Sequence, residues 1–351
     1  MSKPFTPERM RPATHLYRAA AAHLRAHAKN ISVERVIKSM FDGDDVTVLV
    51  AKAASTPAMT SVPAWAGALA ATVVDDHVQA VTSLSAAAGL FARGLKANFG
   101  GYHSIRIPGR FVDASDAGAW IAEGGNVPVR TQRMTAGPTL TPRKLMVITS
   151  YTDEMIQSSN IEAVSRALIS EATALKLDAT LFGTQADDGT TPAGILNGIT
   201  GVTPAPGGGA NALIADIKAL IGALVTAGAG ASPVLITNPA QAVTLSLLAG
   251  PKFNIPVLQS SAIAAGTVIA VEPASFVSAF GAEPSFEVSP FAMLTFDDAP
   301  ANFPAGNVKS TFQTDEVALR MVLRAAWGMR VPAGAPGPNG PHVTFATNVT
   351  W

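Results

Sequence analysis

Residues 140–183 read LTPRKLMVITSYTDEMIQSSNIEAVSRALISEATALKLDATLFG. Arg143 to Thr149 predicts a strand, with Leu145, Val147 and Ile148 as its apolar members. Residues 151–182 predict the strongest helix of the chain. Ser159 or Asn160 can cap it, and Glu162 stands in its first turn. Val164, Leu168, Ala172, Leu175 and Ala179 recur every three or four residues and read as its apolar stripe. The helix ends at Gly183. Gly189-Thr190-Thr191-Pro192 then makes a turn leading to Gly194-Ile195-Leu196.

Upstream, Ser104-Ile105-Arg106-Ile107-Pro108 alternates like a strand. Between it and Arg143 lies a long polar excursion with Asp113, Asp116, Glu123, Arg130 and Arg133, but also Phe111 and Trp120. Strands joined by so long a loop do not form a tight-turn hairpin. An excursion of this length in a compact domain is usually functional. Its aromatic residues would be a liability unless a neighbour covers them.

Downstream, residues 206–300 predict a small α/β domain. Gly207-Gly208-Gly209 is a joint, Leu213 to Val225 a helix, Val234-Leu235-Ile236-Thr237 a strand, Pro239 to Leu248 a helix and Val268-Ile269-Ala270-Val271 a strand. Val317 to Arg324 begins a long strand that ends near Arg330. Pro332 to Pro341 is a Gly/Pro loop, and the chain closes with Val343 to Trp351.

The N-terminal block differs. Met1 to Lys38 carries eight Lys and Arg against two Glu, a net of +6. Arg11, Arg18, Arg25 and Lys29 share one helix face, with Leu16, Ala20, Leu24, His27 and Ile31 on the other. This is a surface helix on a globular body, a mobile basic arm that meets nucleic acid or an acidic partner, or a membrane-surface helix, against which the small apolar face argues. Residues 53–98 are rich in Ala, Ser, Thr and Val and read as a linker-like arm lying over other elements.

Composition narrows the function. The 351 residues correspond to about two domains. Zero cysteine excludes disulfides, thiolate nucleophiles and Cys-ligated metals. A formal net charge of zero excludes a chain-wide polycation. The charged fraction is only 14%, against about 25% for an ordinary globular domain. Between Ala219 and Val271 the only charge is Lys252. Such a surface suits a membrane or copies of the same chain. The uncharged run Ala219–Pro251 exceeds the roughly 20 residues of a membrane span, but Pro233, Asn238, Pro239 and Gln241 interrupt it. Arg9, Arg11, Arg18 and Arg25 stand where an export signal needs an apolar core. A chain without membrane contact, covered by its own copies, is the reading that remains.

Chemistry is sparse. His15, His23, His27, His77, His103 and His342 are scattered, and no Gly-x-Ser-x-Gly elbow occurs. Asp42, Asp44 and Asp45 around Gly43 resemble the start of a calcium loop, but the downstream Glu is missing. Asp187-Asp188 and Asp297-Asp298 read as exposed turns. Gly207-Gly208-Gly209 lacks the Lys-Ser/Thr of a phosphate loop. No catalytic residue, metal site or cofactor is expected.

Four stretches in this order resemble the major capsid protein of tailed bacteriophages, the Hong Kong 97-type family. Ala119-Trp120-Ile121-Ala122-Glu123-Gly124 resembles the Trp-x-x-Glu-Gly signature of the family's extended loop. Leu140 to Leu145, then Ser150 to Ser158, resembles the return strand and the start of its spine helix. Leu177-Asp178 to Gly183, then Pro192 to Leu196, resembles the end of that helix and the following loop. Thr314 to Arg320, with Arg324, resembles the long strand near the C-terminus.

The resemblance implies an α+β fold: an N-terminal helical basic segment and arm (1–98), an extended β-hairpin loop (99–149), a peripheral domain with a long spine helix (150–205), an axial α/β domain (206–300), and peripheral C-terminal strands (301–351). It implies a non-enzymatic subunit that self-assembles as hexamers and pentamers into an icosahedral shell enclosing DNA. Arg106, Arg110, Phe111, Asp113, Asp116, Trp120, Glu123, Arg130 and Arg133 would be inter-subunit residues of the loop. Arg11, Arg18, Arg25 and Lys29 would face the lumen and its DNA. Further partners would be scaffold, portal or decoration proteins, with the virion capsid as location and the bacterial host cytoplasm as the place of assembly. Some members crosslink a loop Lys to a neighbour's Asn; no Lys lies between Lys96 and Lys144, so that bond is not expected. Residues 1–98 are short for a removable scaffolding segment plus an arm. The alternatives are an encapsulin-like cargo shell and, from another class, a soluble two-domain hydrolase using scattered carboxylates.

Overall fold

A computed structural model describes residues 13–29, 31–41, 47, 85–100, 102–109, 120–121, 123, 137–158, 161–250, 253–281, 285–295, 308–331 and 340–351. Contacts divide the chain into two units. One draws on Met1–Val81, Lys144–Thr173 and Ala282–Arg324, the other on Thr82–Arg143, Ala174–Gly281 and Ala325–Trp351.

In the second unit, a four-stranded sheet has the order β13-β7-β5-β6, with β5 Val234–Thr237, β6 Val257–Gln259, β7 Val268–Val271 and β13 Val343–Ala346. β6 runs parallel to β5, and the other pairings are antiparallel. Helices α6 (Gly209–Thr226) and α7 (Pro239–Ala249) complete the layer. Leu213, Leu220 and Leu224 of α6 and Leu245 of α7 bury against Leu235, Val268, Ala270 and Trp351. α6 is long and apolar enough to cross a membrane by length and composition, and this core is where its buried face lies. The start of α7 follows local rules. The Asn238 side chain accepts from Ala240 N at 3.1 Å, Pro239 occupies the first turn, and Gly250 follows the last turn at φ 72°. The predicted helices and strands of 206–271 fall where expected, and β6 (Val257–Gln259) is an additional strand that was not predicted. Val343–Ala346, expected with the strands of 301–351, instead pairs with β7.

The same unit holds part of a second sheet, ordered β1-β8-β12-β4 with β9 also on β12. These are β1 Leu95–Asn98, β4 Arg143–Thr152, β8 Phe276–Phe280, β9 Ser285–Ser289 and β12 Glu316–Met329. β1 runs parallel to β8, and Ala325–Met329 pairs antiparallel with Phe276–Phe280. Helix α3 (Ala86–Arg93) covers β8. Its Phe91 ring stacks on Phe276 at 5.7 Å and meets Phe280 edge-on at 5.3 Å. Residues 85–91 therefore belong to the core, because Ala86, Ala87, Leu90 and Phe91 are buried, and Leu95–Asn98 is a mostly exposed sheet strand, so this part of 53–98 is not a linker; residues 53–84 lie outside the described residues.

The N-terminus of α3 is held from a distance. Asp178, buried on helix α5 (Ile161–Leu181), accepts from Ser85 Oγ at 2.5 Å, Ala87 N at 2.9 Å and Ala86 N at 3.1 Å. Ser85 Oγ in turn accepts from Ala88 N at 3.1 Å. Orphan N–H groups of the first turn thus meet a carboxylate where the helix dipole favours one. Asp216 and Glu272 do similar work. Asp216 accepts from Ala205 N at 2.6 Å and Trp351 Nε1 at 2.8 Å. Glu272 accepts from Gly230 N at 3.0 Å and Ser232 N at 3.2 Å.

In the first unit, α1 (Ala13–Ala28) packs on α2 (Val33–Met40) and on α4 (Asp153–Ser158). Ala318–Val322 of β12 pairs with β9. Tyr17, fully buried, hydrogen-bonds Ser170 Oγ at 2.8 Å. The predicted single helix over 151–182 is broken, because β4 continues to Thr152 and α4 precedes α5. The apolar stripe also lies on the other face. Ile161, Ser165, Ile169, Thr173, Leu177 and Leu181 are buried, while Leu168, Ala172, Leu175 and Ala179 are exposed. Hydroxyls make that choice tolerable: Ser165 Oγ donates to Ile161 O at 2.6 Å, and Ser170 has Tyr17. The proposed caps Ser159 and Asn160 lie outside the described residues.

Asp178→Ala should cost about 3 kcal/mol in urea unfolding of the dissociated chain, because it strands buried donors. Asp178→Asn, which keeps the shape and one acceptor oxygen, should cost about 1 kcal/mol. A change below about 0.5 kcal/mol for the alanine variant would show that the capping of α3 is dispensable.

Candidate functional site

The long excursion begins and ends in a backbone neck. β2 (Ile105–Arg106) pairs antiparallel with β3 (Thr139–Leu140), matching Ile105 with Leu140 and Arg106 with Thr139. The partner of β2 is thus Thr139–Leu140, whereas the predicted return strand at Arg143 lies beside β12. Ile107 N donates to Pro138 O at 3.1 Å. Gly137 is required here, since a Cβ would stand 2.1 Å from Ile107 O and 2.6 Å from Gly109 N. Leu140 roots the neck in a cluster with Phe99, Val277, Ala279 and Ala326. Arg143 fixes the exit: Nη2 donates to Asp187 Oδ1 and Nη1 to Gly189 O, both at 2.6 Å. The same turn bonds Asp188, whose carboxyl is held below its ordinary range by the N–H groups of Thr191 and Thr190.

Beyond the neck, Trp120 is fully exposed at 104% relative area. Ile121 and Glu123 are exposed beside it, and Arg106 is exposed on the neck. Arg110, Phe111, Asp113, Asp116, Arg130 and Arg133 lie outside the described residues. An uncovered indole on an anchored loop is a surface that calls for a cover.

Other large apolar side chains are exposed in the charge-poor region. They are Ile214 and Val225 on α6 and Val243, Leu247 and Leu248 on α7. A further group was not foreseen: Phe291, Met293, Val308 and Phe312 are exposed around strands β10 (Met293–Thr295) and β11 (Val308–Ser310). Isolated aromatic residues in a stretch without clear periodicity gave no sequence signal for them.

The basic face is partly turned inward. The Arg18 guanidinium lies 4.9 Å from the Phe41 ring centroid, and Arg25 Nη1 contacts Met40 Sδ at 3.3 Å. Both are half-buried, Lys29 is exposed, and Arg11 lies outside the described residues. His27, placed on the apolar face, is exposed. Tyr17 and Ala19 to Ala22 are buried on several sides of α1, so the helix is docked and is not a free arm.

Reaction chemistry does not assemble among the described residues. No group of three or more His, Asp or Glu could hold a metal ion there. Asp42, Asp44, Asp45, Asp297 and Asp298 lie outside them. A close Ser–His pair, Ser275 Oγ and His342 Nδ1 at 2.5 Å, is fully buried. His342 Nε2 faces Ala227 O at 3.0 Å, so the ring ties the α6 terminus to β13.

Comparison with known proteins agrees with a surface built for assembly. Residues 67–334 match the phage capsid family. The chain is 28% identical over 379 aligned residues to a capsid polyprotein of Pseudomonas phage PAJU2, covering 98% of this chain and 55% of the relative. It therefore spans about half the length of that curated relative. The fold, a mixture of helices and sheets, is similar to a solved chain of Mycobacterium phage Adephagia, with TM-score 0.52, 18% identity, and 75% of this chain and 90% of the other covered. It is also similar to a chain from the procapsid of satellite phage P4, with TM-score 0.50, 11% identity, and 80% and 100% covered.

Gly137→Ala should open the neck. The Ile107 amide is expected to exchange with solvent about ten- to a hundredfold faster, as read by hydrogen exchange, while amides of β5 and β7 keep their rates. Unchanged exchange at Ile107 would mean that the close approach at Gly137 does not hold the loop.

Proposed function

This chain belongs to the phage capsid family, and we propose that it is the major capsid subunit of an icosahedral shell that encloses DNA. It is a structural protein, not an enzyme. The observation that carries the assembly reading is Trp120, an entirely exposed indole on a loop whose backbone neck is rooted in the core. A lone subunit gains nothing from holding an aromatic residue in water at that position. A subunit whose loop lies on the next copy does.

The division of labour follows the Hong Kong 97-type plan. Residues 99–149 are the extended loop. The α5 helix is the spine of a peripheral domain that also takes β9 and much of β12. The axial domain is residues 206–271 together with β13, and it meets other copies around five- and six-fold positions. Supporting this, Val243, Leu247 and Leu248 are exposed on α7 inside the stretch that carries only Lys252. Arg106 and Glu123, with Arg110, Phe111, Asp113, Asp116, Arg130 and Arg133, belong to the loop's inter-subunit contacts. Exposed charge pairs among them would contribute about 0–1 kcal/mol each and set register more than strength.

The basic segment faces the lumen. Lys29 and Arg11 are its first contacts with packaged DNA, because Arg18 and Arg25 are engaged with Phe41 and Met40. Scaffold, portal or decoration proteins are further partners. Assembly takes place in the bacterial host cytoplasm and ends in the virion capsid.

Two measurements test this. Light scattering with negative-stain images of the purified full chain should show closed shells tens of nanometres across. A monomer or dimer persisting over a range of salt, and also when the chain is co-expressed with its scaffold, would sink the assembly reading. Removing residues 1–38 would take Tyr17 and Leu24 out of the core, so the lumen assignment is better tested by Arg11→Ala with Lys29→Ala. The salt dependence of DNA binding should flatten by about 0.9 in log–log slope for each phosphate that the variant no longer neutralises. An unchanged slope would remove DNA from the partners of this segment.

A further inference from the structure

Residues 227–232 form the turn that leaves α6, and two buried ionisable side chains hold it. From one side comes His342, just before β13. Its Nε2 lies 3.0 Å from Ala227 O, and its Nδ1 lies 2.5 Å from Ser275 Oγ. From the other side comes Glu272, just after β7. Its Oε2 accepts from Gly230 N at 3.0 Å and from Ser232 N at 3.2 Å. The two holders are joined through backbone: Glu272 N donates to His342 O at 3.0 Å, and Ser275 N to Glu272 O at 3.1 Å. The turn itself is pliable, with Gly228 and Gly230 at φ 83° and 96°. The hydrogen-bond pattern fixes the proton. A carbonyl only accepts, so Nε2 carries the hydrogen, and the bare Nδ1 accepts from the Ser275 hydroxyl. The ring is neutral in this arrangement. A second proton, on Nδ1, would face the oxygen of Ser275, deprive the Ser275 hydrogen of its acceptor and put a charge on a fully buried ring.

We propose that His342 is a proton-operated catch on the 227–232 turn. Among the described residues of the segments that meet here, the titratable groups are Glu272 and Arg330. Arg330 N donates to Ser275 O at 2.8 Å, while its guanidinium turns to Pro108 O at 3.4 Å. The end of α6 from Ala219 on, the turn, β7 and β13 carry no charge. Two paths are open to an imidazolium formed in place. The ring withdraws, and Ala227 O loses its donor. Otherwise Glu272, the anion whose backbone already pairs with His342, swings to the ring and releases Gly230 N and Ser232 N. Both paths loosen the same turn. An imidazole in water takes its proton at about pH 6.5, so opening takes up a proton below that pH. The closed turn is therefore favoured above about pH 6.5, and its closing constant falls about tenfold for each pH unit below it. The catch works within one chain, whether or not copies assemble.

Hydrogen exchange of the full chain reads the catch, with rates corrected for the pH dependence of an unstructured chain. Between about pH 7.5 and about pH 5.5 the protection of the 228–232 amides should fall about tenfold, while α7 keeps its protection. His342→Gln, which keeps a donor and an acceptor but takes no proton, should abolish that fall. Glu272→Gln should lower protection of the turn at both ends of the range and leave the fall in place. Unchanged protection of the wild-type turn would overturn the proposal. So would a fall shared equally by α7, or one that Glu272→Gln removes and His342→Gln keeps. A second measurement holds even where His342→Gln fails to fold. With His15, His23, His27, His77 and His103 replaced by Gln, His342 is the only imidazole of the full chain. Nitrogen NMR at about pH 7.5 should then show a ring protonated on Nε2 alone. A ring protonated on Nδ1, or on both nitrogens, would overturn the proposal.

Discussion

The carboxylate of Asp178 is the point on which much of the larger unit hangs. It is buried, and burying a charge is costly unless hydrogen bonds replace its water. Here three donors at the start of α3 do so. That fixes α3 to the last turns of α5, and α3 covers β8 through Phe91. From β8 the sheet extends to β1 on one side and β12 on the other, and Leu140 carries the loop neck into the same cluster. Asp216 and Glu272 repeat the device at Ala205 with Trp351 and at the 230–232 turn. A chain with few charges has placed three of its carboxylates inside, each accepting backbone N–H groups.

The economy of charge has its counterpart outside. Large apolar side chains are exposed on the loop tip, on α6 and α7, on the outward face of α5 and on the β10–β11 hairpin. For an isolated protein this distribution would favour nonspecific association. For a capsid subunit it supplies several separate contacts. The interior keeps three carboxylates with backbone N–H partners, and the exterior keeps large apolar side chains.

Elements with strong local grammar were legible in the sequence. The alternation from Val317 to Arg324 located β12, with Arg320 and Arg324 outward, and Asn238-Pro239 with Gly250 bounded α7. Wherever a neighbour decides the outcome, reading failed. The apolar period of α5 marked Leu168 and Leu175, yet Ser165, Ser170 and Thr173 are buried, Ser165 donating to the Ile161 carbonyl and Ser170 bonded to the Tyr17 hydroxyl. An apolar period alone does not decide which face of a helix is buried. Val343–Ala346 carries no mark of its pairing with β7, and Asp178 looks like any helical acid until it meets Ser85, 93 positions earlier. Of the candidate site, Trp120 was legible as an aromatic residue out of place. The exposed group at Phe291, Met293 and Phe312 was not, because it is brought together only by the pairing of β10 with β11.

The neck of the loop has a mechanical consequence. Its two strands touch through backbone, with no side chain between Gly137 and Ile107. A pull on the loop is therefore taken first by paired peptide groups, and only at the root by the buried Leu140 side chain among Val277, Ala279 and Ala326. Side chains yield to load by changing rotamer, whereas a peptide pair holds until it breaks. In a shell of such subunits under load, tension along this seam would reach each subunit's core as a stiff tie rather than as a spring.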